Sequence, residues 1–240
     1  MKLIQYFAVA ALATSAMVPA FGAPIPMSAL GIAKTVNVTG HPYNTNGGGG
    51  FSAIVDGFAT TVWCVDLQNL ISPGSGSAIY LANVTPIDTW LLGMNSLVRK
   101  GTETVWSDGN TFTAEERYKA AAWMVEQYSG FPNGPTGTSN DGDLQNAIWR
   151  MTHAVSNGGS APAANANYNA AVAFLGTPAA ATFGHNHWAI ISGVVDSNGV
   201  LQGDTRQTFL VEYVTPEPAS YALIGSALVA LGMLARRRNS

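Results

Sequence analysis

Residues 51–67 read Phe51-Ser-Ala-Ile-Val-Asp56-Gly57-Phe-Ala-Thr-Thr-Val-Trp-Cys64-Val-Asp-Leu67. Two runs rich in β-branched, aromatic and small apolar residues flank the Asp56-Gly57 pair. That dipeptide between apolar runs is typical of a tight turn between antiparallel strands. The stretch therefore predicts a β-hairpin or a bulged strand pair, with Cys64 near the end of the second strand.

The rest of the chain supplies further strands and three helices. Alternating or continuous apolar runs predict strands at Lys34–Thr39, Ala78–Thr85, Trp188–Val195 and Gln207–Val214. Helical periodicity predicts helices near residues 88–99, 113–129 and 141–156. We therefore expect an α+β fold, in which an antiparallel sheet curls into a sandwich or partial barrel and about three helices pack against it.

Two of these helices have recognisable local signals. Thr113 and Glu116 form a capping box, in which each side chain satisfies the main-chain amide of the other. The third helix, capped by Asn140 or Asp141, has a predicted buried stripe with Gln145 beside it; the stripe is Leu144, Ala147, Ile148, Met151 and Val155.

Both ends of the chain indicate export. Residues 1–23 combine Lys2, an apolar run and small residues, as in a cleaved signal peptide. Residues 215–240 contain an uncharged run, Ala219–Ala235, that predicts a transmembrane helix followed by arginines at positions 236–238. Residues 24–214 then form one extracytoplasmic domain. Its seven Lys and Arg against thirteen Asp and Glu give a net charge of −6, which disfavours nucleic acid as a partner.

The C-terminal tail resembles the PEP-CTERM sorting signal, which joins a Pro-Glu-Pro motif, an apolar helix and a basic cluster. Here these are Pro216, Glu217 and Pro218, the run to Ala235, and Arg236, Arg237 and Arg238. The resemblance implies recognition by an exosortase-like membrane enzyme: inner-membrane anchoring before processing, then a place on the cell surface or in the extracellular matrix. An ordinary single-pass anchor is the alternative.

Cys64 is the only cysteine, so it has no disulfide partner within the chain. Trp63-Cys64-Val65-Asp66 and Leu144-Gln145-Asn146-Ala147-Ile148-Trp149 together resemble the two signature segments of bacterial thioester domains, which occur on surface proteins. The resemblance spans roughly residues 60–152. It implies an internal thioester between the Cys64 sulfur and the Gln145 side-chain carbonyl, and covalent adhesion to an amine or hydroxyl of an unknown surface or matrix ligand.

Several neighbours of the implied bond are candidates for supporting roles. Trp63, Trp123 and Trp149 could exclude water from a thioester. The proton transfers could be assisted by Asp66, Asn146, Asp141 or His153, and no spacing selects among them. Such a protein acts once per molecule and is an adhesin rather than an enzyme. No cofactor is expected.

The sequence also permits other interpretations of the domain's function. The chain could be a non-covalent structural protein of the envelope or of an exopolysaccharide or biofilm matrix, with Cys64 a free thiol in the core. His185 and His187 are a weak zinc candidate without a further ligand nearby in sequence. Asp141 and Asp143 fit helix capping better than a glycosidase pair, and no serine has a nucleophile-elbow context.

Overall fold

A seven-stranded sheet is the framework of the chain in the computed structural model, which describes residues 23–40, 50–67, 79–128, 139–155, 160–202 and 206–215. The strands are β1 (Ile25–Pro26), β2 (Gly31–Gly40), β3 (Gly50–Val55), β4 (Phe58–Cys64), β5 (Ile79–Pro86), β6 (Trp188–Gly193) and β7 (Phe209–Val214). Strands β2 to β7 lie where the sequence predicts strands, whereas the short β1 is not predicted from the sequence.

Six of the strands close on themselves. The order is β1-β7-β4-β3-β2-β5-β6, and β6 also pairs with β7, so that β2 to β7 form a closed antiparallel barrel. β1 adds to β7 as a parallel strand. The expected antiparallel α+β architecture is confirmed, and of the two expected forms the sheet adopts the barrel, complete within the described residues.

The hairpin between β3 and β4 forms at the predicted turn. Val55 pairs with Phe58 across it. Asp56 and Gly57 have φ angles of 50° and 90°, and a two-residue turn with two positive φ angles matches the twist of antiparallel strands. The turn thereby sets the register that brings Cys64 to the far end of β4.

Three α-helices pack on the barrel: α1 (Ala114–Tyr128), α2 (Ser139–Thr152) and α3 (Ala166–Leu175). The capping box of α1 is confirmed, since the Glu116 amide donates to Thr113 Oγ1 over 3.3 Å and the Thr113 amide donates to Glu116 Oε2 over 2.8 Å. The sequence analysis missed α3, although Asn165 caps it by accepting from the Tyr168 amide over 3.0 Å.

The helix predicted near residues 88–99 is wrong in type. The segment forms two 3-10 helices, Ile87–Leu92 and Met94–Leu97, because Gly93 between them adopts a left-handed conformation with φ of 73°. Met94, at the start of the second 3-10 helix, is exposed. Val155 was also misplaced in the buried stripe of α2, because the helix ends at Thr152 and the Val155 side chain is 51% exposed.

Alternation along β4 divides the apolar interior into two clusters. Val62 and Cys64 join the cluster inside the barrel, with Phe51 and Phe209. Trp63 and Val65 join the cluster between barrel and helices. This follows from the period of two in a strand, in which successive side chains point to opposite faces. The thiol of Cys64 is therefore on the inner face.

A buried arginine ties the helices together. The fully buried Arg117 of α1 forms a bidentate ion pair with Asp108, with Nη1 to Oδ2 at 2.8 Å and Nη2 to Oδ1 at 2.9 Å. Its Nη1 also donates to the Met151 carbonyl near the end of α2, over 2.8 Å. The guanidinium stacks on Trp106, 4.5 Å from the ring centroid. These contacts fix α2 relative to α1.

Residues 1–22 of the predicted signal peptide and residues 216–240 of the predicted tail lie outside the described residues. Among the helices that the structure does describe, none combines the length and the apolar character needed to cross a membrane.

Candidate functional site at Cys64

Cys64 is the last residue of β4 and has no exposed surface. It lies opposite Phe209 of β7, and the following amide, that of Val65, donates to the Thr208 carbonyl over 3.0 Å. The strand pair therefore holds the cysteine at the point where regular pairing between β4 and β7 ends. Phe51 and Phe209, whose ring centroids are 5.6 Å apart, belong to the same cluster.

One face of α2 contacts this end of β4 through three side chains. Gln145 Nε2 donates to the Cys64 carbonyl over 2.9 Å, Trp149 Nε1 donates to Cys64 Sγ over 3.3 Å, and Thr152 Oγ1 donates to the Val65 carbonyl over 2.7 Å. Spacings of four and three residues align side chains on a helix. The helix and the strand end are thus joined by hydrogen bonds at consecutive turns.

Gln145 and Cys64 are brought together although 81 residues separate them in sequence. The Gln145 side chain is buried, at 2% exposed, and its amide contacts the main chain of the cysteine. Trp149 reaches the sulfur itself and is half-buried. The structure therefore places Cys64 and Gln145 next to each other in one buried site, with Trp149 bonded to the sulfur.

A second carboxamide also contacts the sulfur. Gln207, just before β7, has its Nε2 2.8 Å from Cys64 Sγ and 3.4 Å from the Asp66 carbonyl. The Cys64 thiol donates to that same carbonyl over 3.3 Å. Gln207 is 1% exposed, and its Oε1 has no hydrogen-bond partner in the part of the chain that the structure describes. The sulfur is thus surrounded by two N–H donors and one carbonyl acceptor.

The surroundings keep the thiol protonated. Burial raises the pKa of Cys64 to about 12, against the smaller opposing effects of the Trp149 and Asp66 hydrogen bonds. A charged pair lies beside the site, where Lys100 Nζ is 3.5 Å from Asp66 Oδ1 and both side chains are almost fully buried. Burial lowers the pKa of Lys100 in spite of the favourable attraction to Asp66.

The other candidates for shielding or proton transfer are more dispersed. Trp63 faces the helix-side cluster, and Trp123 stacks on Phe174 with ring centroids 4.7 Å apart. Asn146 is exposed on α2, whereas His153 is buried just beyond its end. Of the supporting set, Asp66 and Trp149 are the two whose atoms contact the Cys64 thiol.

The remaining candidates from the sequence do not converge on a metal. His185 and His187 lie in a turn preceding β6, and His187 Nε2 is 3.1 Å from Glu212 Oε1. Asp143 is exposed, and its carbonyl accepts from Asn165 Nδ2 over 2.6 Å. Within the described ranges no group of three or more His, Cys, Asp and Glu side chains could hold a metal ion.

Two residues of the site were missed from sequence. Thr152 could have been found, because it follows Gln145 and Trp149 on the same helical face. Gln207 carries no local signal. It begins a predicted strand, and only the pairing of β4 with β7 brings it to the sulfur.

Residues 214–238 match a family described as the PEP-CTERM protein-sorting motif. The match covers about a tenth of the chain, and it supports an exported protein that an exosortase membrane enzyme recognises and that is anchored in the membrane before processing. No curated protein and no solved structure matches the chain. The sorting signal thus defines the class of protein, and the barrel domain must be interpreted from its own geometry.

Proposed function

We propose that the barrel domain forms an internal thioester between Cys64 and Gln145 and attaches this exported protein covalently to a partner. The partner carries a nucleophilic amine or hydroxyl on a surface or in an extracellular matrix. Because each molecule reacts once, the protein is an adhesin and not an enzyme. The tail directs sorting of the exported protein, and the domain makes the bond at the final location.

The observation that carries the proposal is the buried hydrogen bond of 2.9 Å between the Gln145 carboxamide and the Cys64 carbonyl. A glutamine on a helix is ordinarily solvated, and burying its amide is favourable only when the polar atoms are paired. Here the partner belongs to the one cysteine of the chain. The resemblance of both segments to thioester domains supports the same pairing.

The proposed reaction transfers the acyl group of Gln145 from nitrogen to sulfur. The Cys64 sulfur attacks Gln145 Cδ, the Sγ–Cδ bond forms, the Cδ–Nε2 bond breaks, and the thiol proton leaves with the nitrogen as ammonia. Holding the sulfur and the amide in one rigid site replaces a bimolecular encounter by an intramolecular one. The Trp149 N–H donor beside the sulfur favours the thiolate, which is the attacking species, against the larger effect of burial, which raises the pKa of Cys64.

Shielding explains how such a bond persists. Thioesters hydrolyse, and exclusion of water slows that reaction. Cys64 and Gln145 are each at most 2% exposed, and the Trp149 indole donates a hydrogen bond to the sulfur. A partner nucleophile must therefore enter by local movement at α2.

A second candidate function is a non-covalent structural protein of the envelope or exopolysaccharide matrix in which Cys64 stays a thiol. The raised pKa of Cys64, about 12, favours this alternative, because very little thiolate is present at neutral pH. The two candidates differ in the covalent state of the same two side chains.

Intact mass of the exported protein separates them. Thioester formation predicts a species lighter by one ammonia, which resists thiol alkylation after unfolding and gains methylamine when that amine is supplied. Gln145→Ala should abolish all three properties. Cys64→Ala, which has no thiol left to alkylate, should abolish the loss of ammonia and the gain of methylamine. The control Gln202→Ala removes an exposed glutamine that bonds the Val200 carbonyl, and it should leave them unchanged. A protein that has its full calculated mass, with no loss of ammonia, and a thiol that can be alkylated supports the structural protein instead.

A further inference from the structure

Gln207 occupies an unusual position for a glutamine. Gln207 lies two residues before Phe209, the residue of β7 that pairs with Cys64. Because side chains alternate along a strand, the Gln207 side chain lies on the same inner face as the thiol. Its Nε2 is 2.8 Å from the sulfur, nearer than the Trp149 indole nitrogen at 3.3 Å. This carboxamide therefore restricts where the sulfur can be.

The other end of the same side chain is unsatisfied. Gln207 Oε1 is buried without a hydrogen-bond partner among the described residues, and the residue is 1% exposed. Buried carboxamide oxygens are nearly always paired, since an unpaired one destabilises the folded state. An apolar side chain of similar size, such as methionine, would avoid this cost. The retained carboxamide thus requires an explanation beyond packing.

We infer that Gln207 is a positioning residue of the Cys64 site, whose Nε2 holds the sulfur while its Oε1 accepts an N–H from the nitrogen that leaves or enters. The inference rests on the proposed thioester. It adds to the proposed thioester mechanism a donor that orients the sulfur toward Gln145 and an acceptor for the hydrogen bond of the departing ammonia.

The two roles follow from one reaction run in both directions. As the Cδ–Nε2 bond of Gln145 breaks, the nitrogen gains a proton and becomes a stronger hydrogen-bond donor. Gln207 Oε1 can accept that hydrogen bond. Attack by a primary amine on the thioester is the same step reversed with a substituted ammonia. An amine keeps an N–H to give to Oε1, so the same acceptor serves both steps.

Gln207→Met tests the assignment, because methionine retains the length of the side chain and removes both polar atoms. Gln207→Asn is a second variant that keeps the carboxamide but withdraws it from the sulfur by one methylene. Gln202→Met is the matched control on an exposed glutamine. Full-length chains purified unfolded are refolded, and intact mass follows the loss of ammonia with time; methylamine is then added, and the ratio of amine adduct to hydrolysed product is measured.

We expect Gln207→Met and Gln207→Asn to slow ammonia loss by about three- to tenfold, the equivalent of one ordinary hydrogen bond. Both should also lower the ratio of methylamine adduct to hydrolysis, a ratio that a purely structural role does not move. Rates and ratios equal to those of Gln202→Met overturn the assignment. Ammonia loss that persists in Gln145→Ala and maps to Gln207 also overturns it, because Gln207 is then the acyl partner.

If the wild-type protein loses no ammonia, the proposed function fails. The contact between Gln207 Nε2 and the Cys64 sulfur can then be tested by itself. The single cysteine gives one S–H stretching band in the Raman spectrum. A band that shifts in Gln207→Met and not in Gln202→Met supports Gln207 as the residue that holds a free thiol. An unchanged band overturns the inference.

Discussion

Replacing Arg117 by methionine should destabilise the domain more than any surface change. The substitution keeps most of the apolar stem and removes the guanidinium that pairs with Asp108 in a fully buried geometry, where both side chains are 0% exposed. It also leaves the carbonyls of Met151 and Asn110 without the donors that reach them at 2.8 and 2.9 Å. The Asp108 carboxylate keeps hydrogen bonds from Tyr168 and Asn110 but loses its only buried cation among the described contacts.

The magnitude follows from the kind of contact. Removing one partner of a buried ion pair costs about 3–5 kcal/mol, mainly because the remaining charge stays desolvated. For a domain of this size each kcal/mol lowers Tm by about 2–4 °C, so Arg117→Met should lose roughly 6–20 °C. Because the guanidinium also holds the Met151 carbonyl, α2 should loosen with it, and Gln145 is carried on that helix.

Acid should reduce the difference between wild type and variant. The pKa of Asp108 is lowered, as the hydrogen bonds from Arg117 and Tyr168 outweigh the opposing effect of burial. A depressed folded pKa contributes stability that is present above the unfolded value of about 3.9 and is lost as pH falls through the folded value. The destabilisation by Arg117→Met should therefore be full at neutral pH and shrink below about pH 4.

Urea unfolding followed by circular dichroism at several pH values measures these differences. Arg150→Met is the matched control, because Arg150 is half-buried, stacks on Tyr168 and donates to the Pro162 carbonyl without a buried carboxylate partner among its described contacts. It should cost clearly less than Arg117→Met. Equal losses for the two variants, or a loss under about 1 kcal/mol for Arg117→Met, would refute the reasoning.

Two further predictions concern the helix face and the surface. Thr152→Val should destabilise by about 1–3 kcal/mol, because the Val65 carbonyl loses its buried donor, while Thr152→Ser retains most of it; denaturant titration separates the two, and equal stability of all three proteins would contradict the contact. The pKa of His187 is raised, chiefly by the Glu212 hydrogen bond, so its stabilisation is present below about pH 6.5 and is lost as pH rises through the folded value. His187→Gln should flatten that part of the pH profile by less than about 1 kcal/mol, since the pair is largely exposed, and a variant with the wild-type profile would rule the pair out.

Local chemistry explains which elements could be predicted from sequence. The Asp56-Gly57 turn and the Thr113 capping box are decided within a few residues, and both form as expected. The segment at 87–97 has helical periodicity, but Gly93 breaks it and 3-10 geometry results. Periodicity records which positions are apolar and does not record how tightly the backbone winds.

The residues of the candidate site likewise differ in whether the sequence predicts them. Cys64 and Gln145 were paired from two short segments, and α2 does bring the Gln145 amide to the Cys64 main chain. Gln207 could not be predicted, because its distance from the sulfur depends on the closure of β7 against β4, a long-range pairing without a local pattern. Trp123 was grouped with the site by residue type alone, and tertiary packing stacks it on Phe174 instead.

A crystal structure of the exported protein at high resolution reveals whether Cys64 and Gln145 share a covalent bond. We predict continuous density from Sγ to Cδ, loss of the Gln145 nitrogen, and Trp149 and Gln207 still beside the sulfur. Separate density for an intact Gln145 carboxamide bonded to the Cys64 carbonyl, with a free thiol beside it, would contradict the thioester.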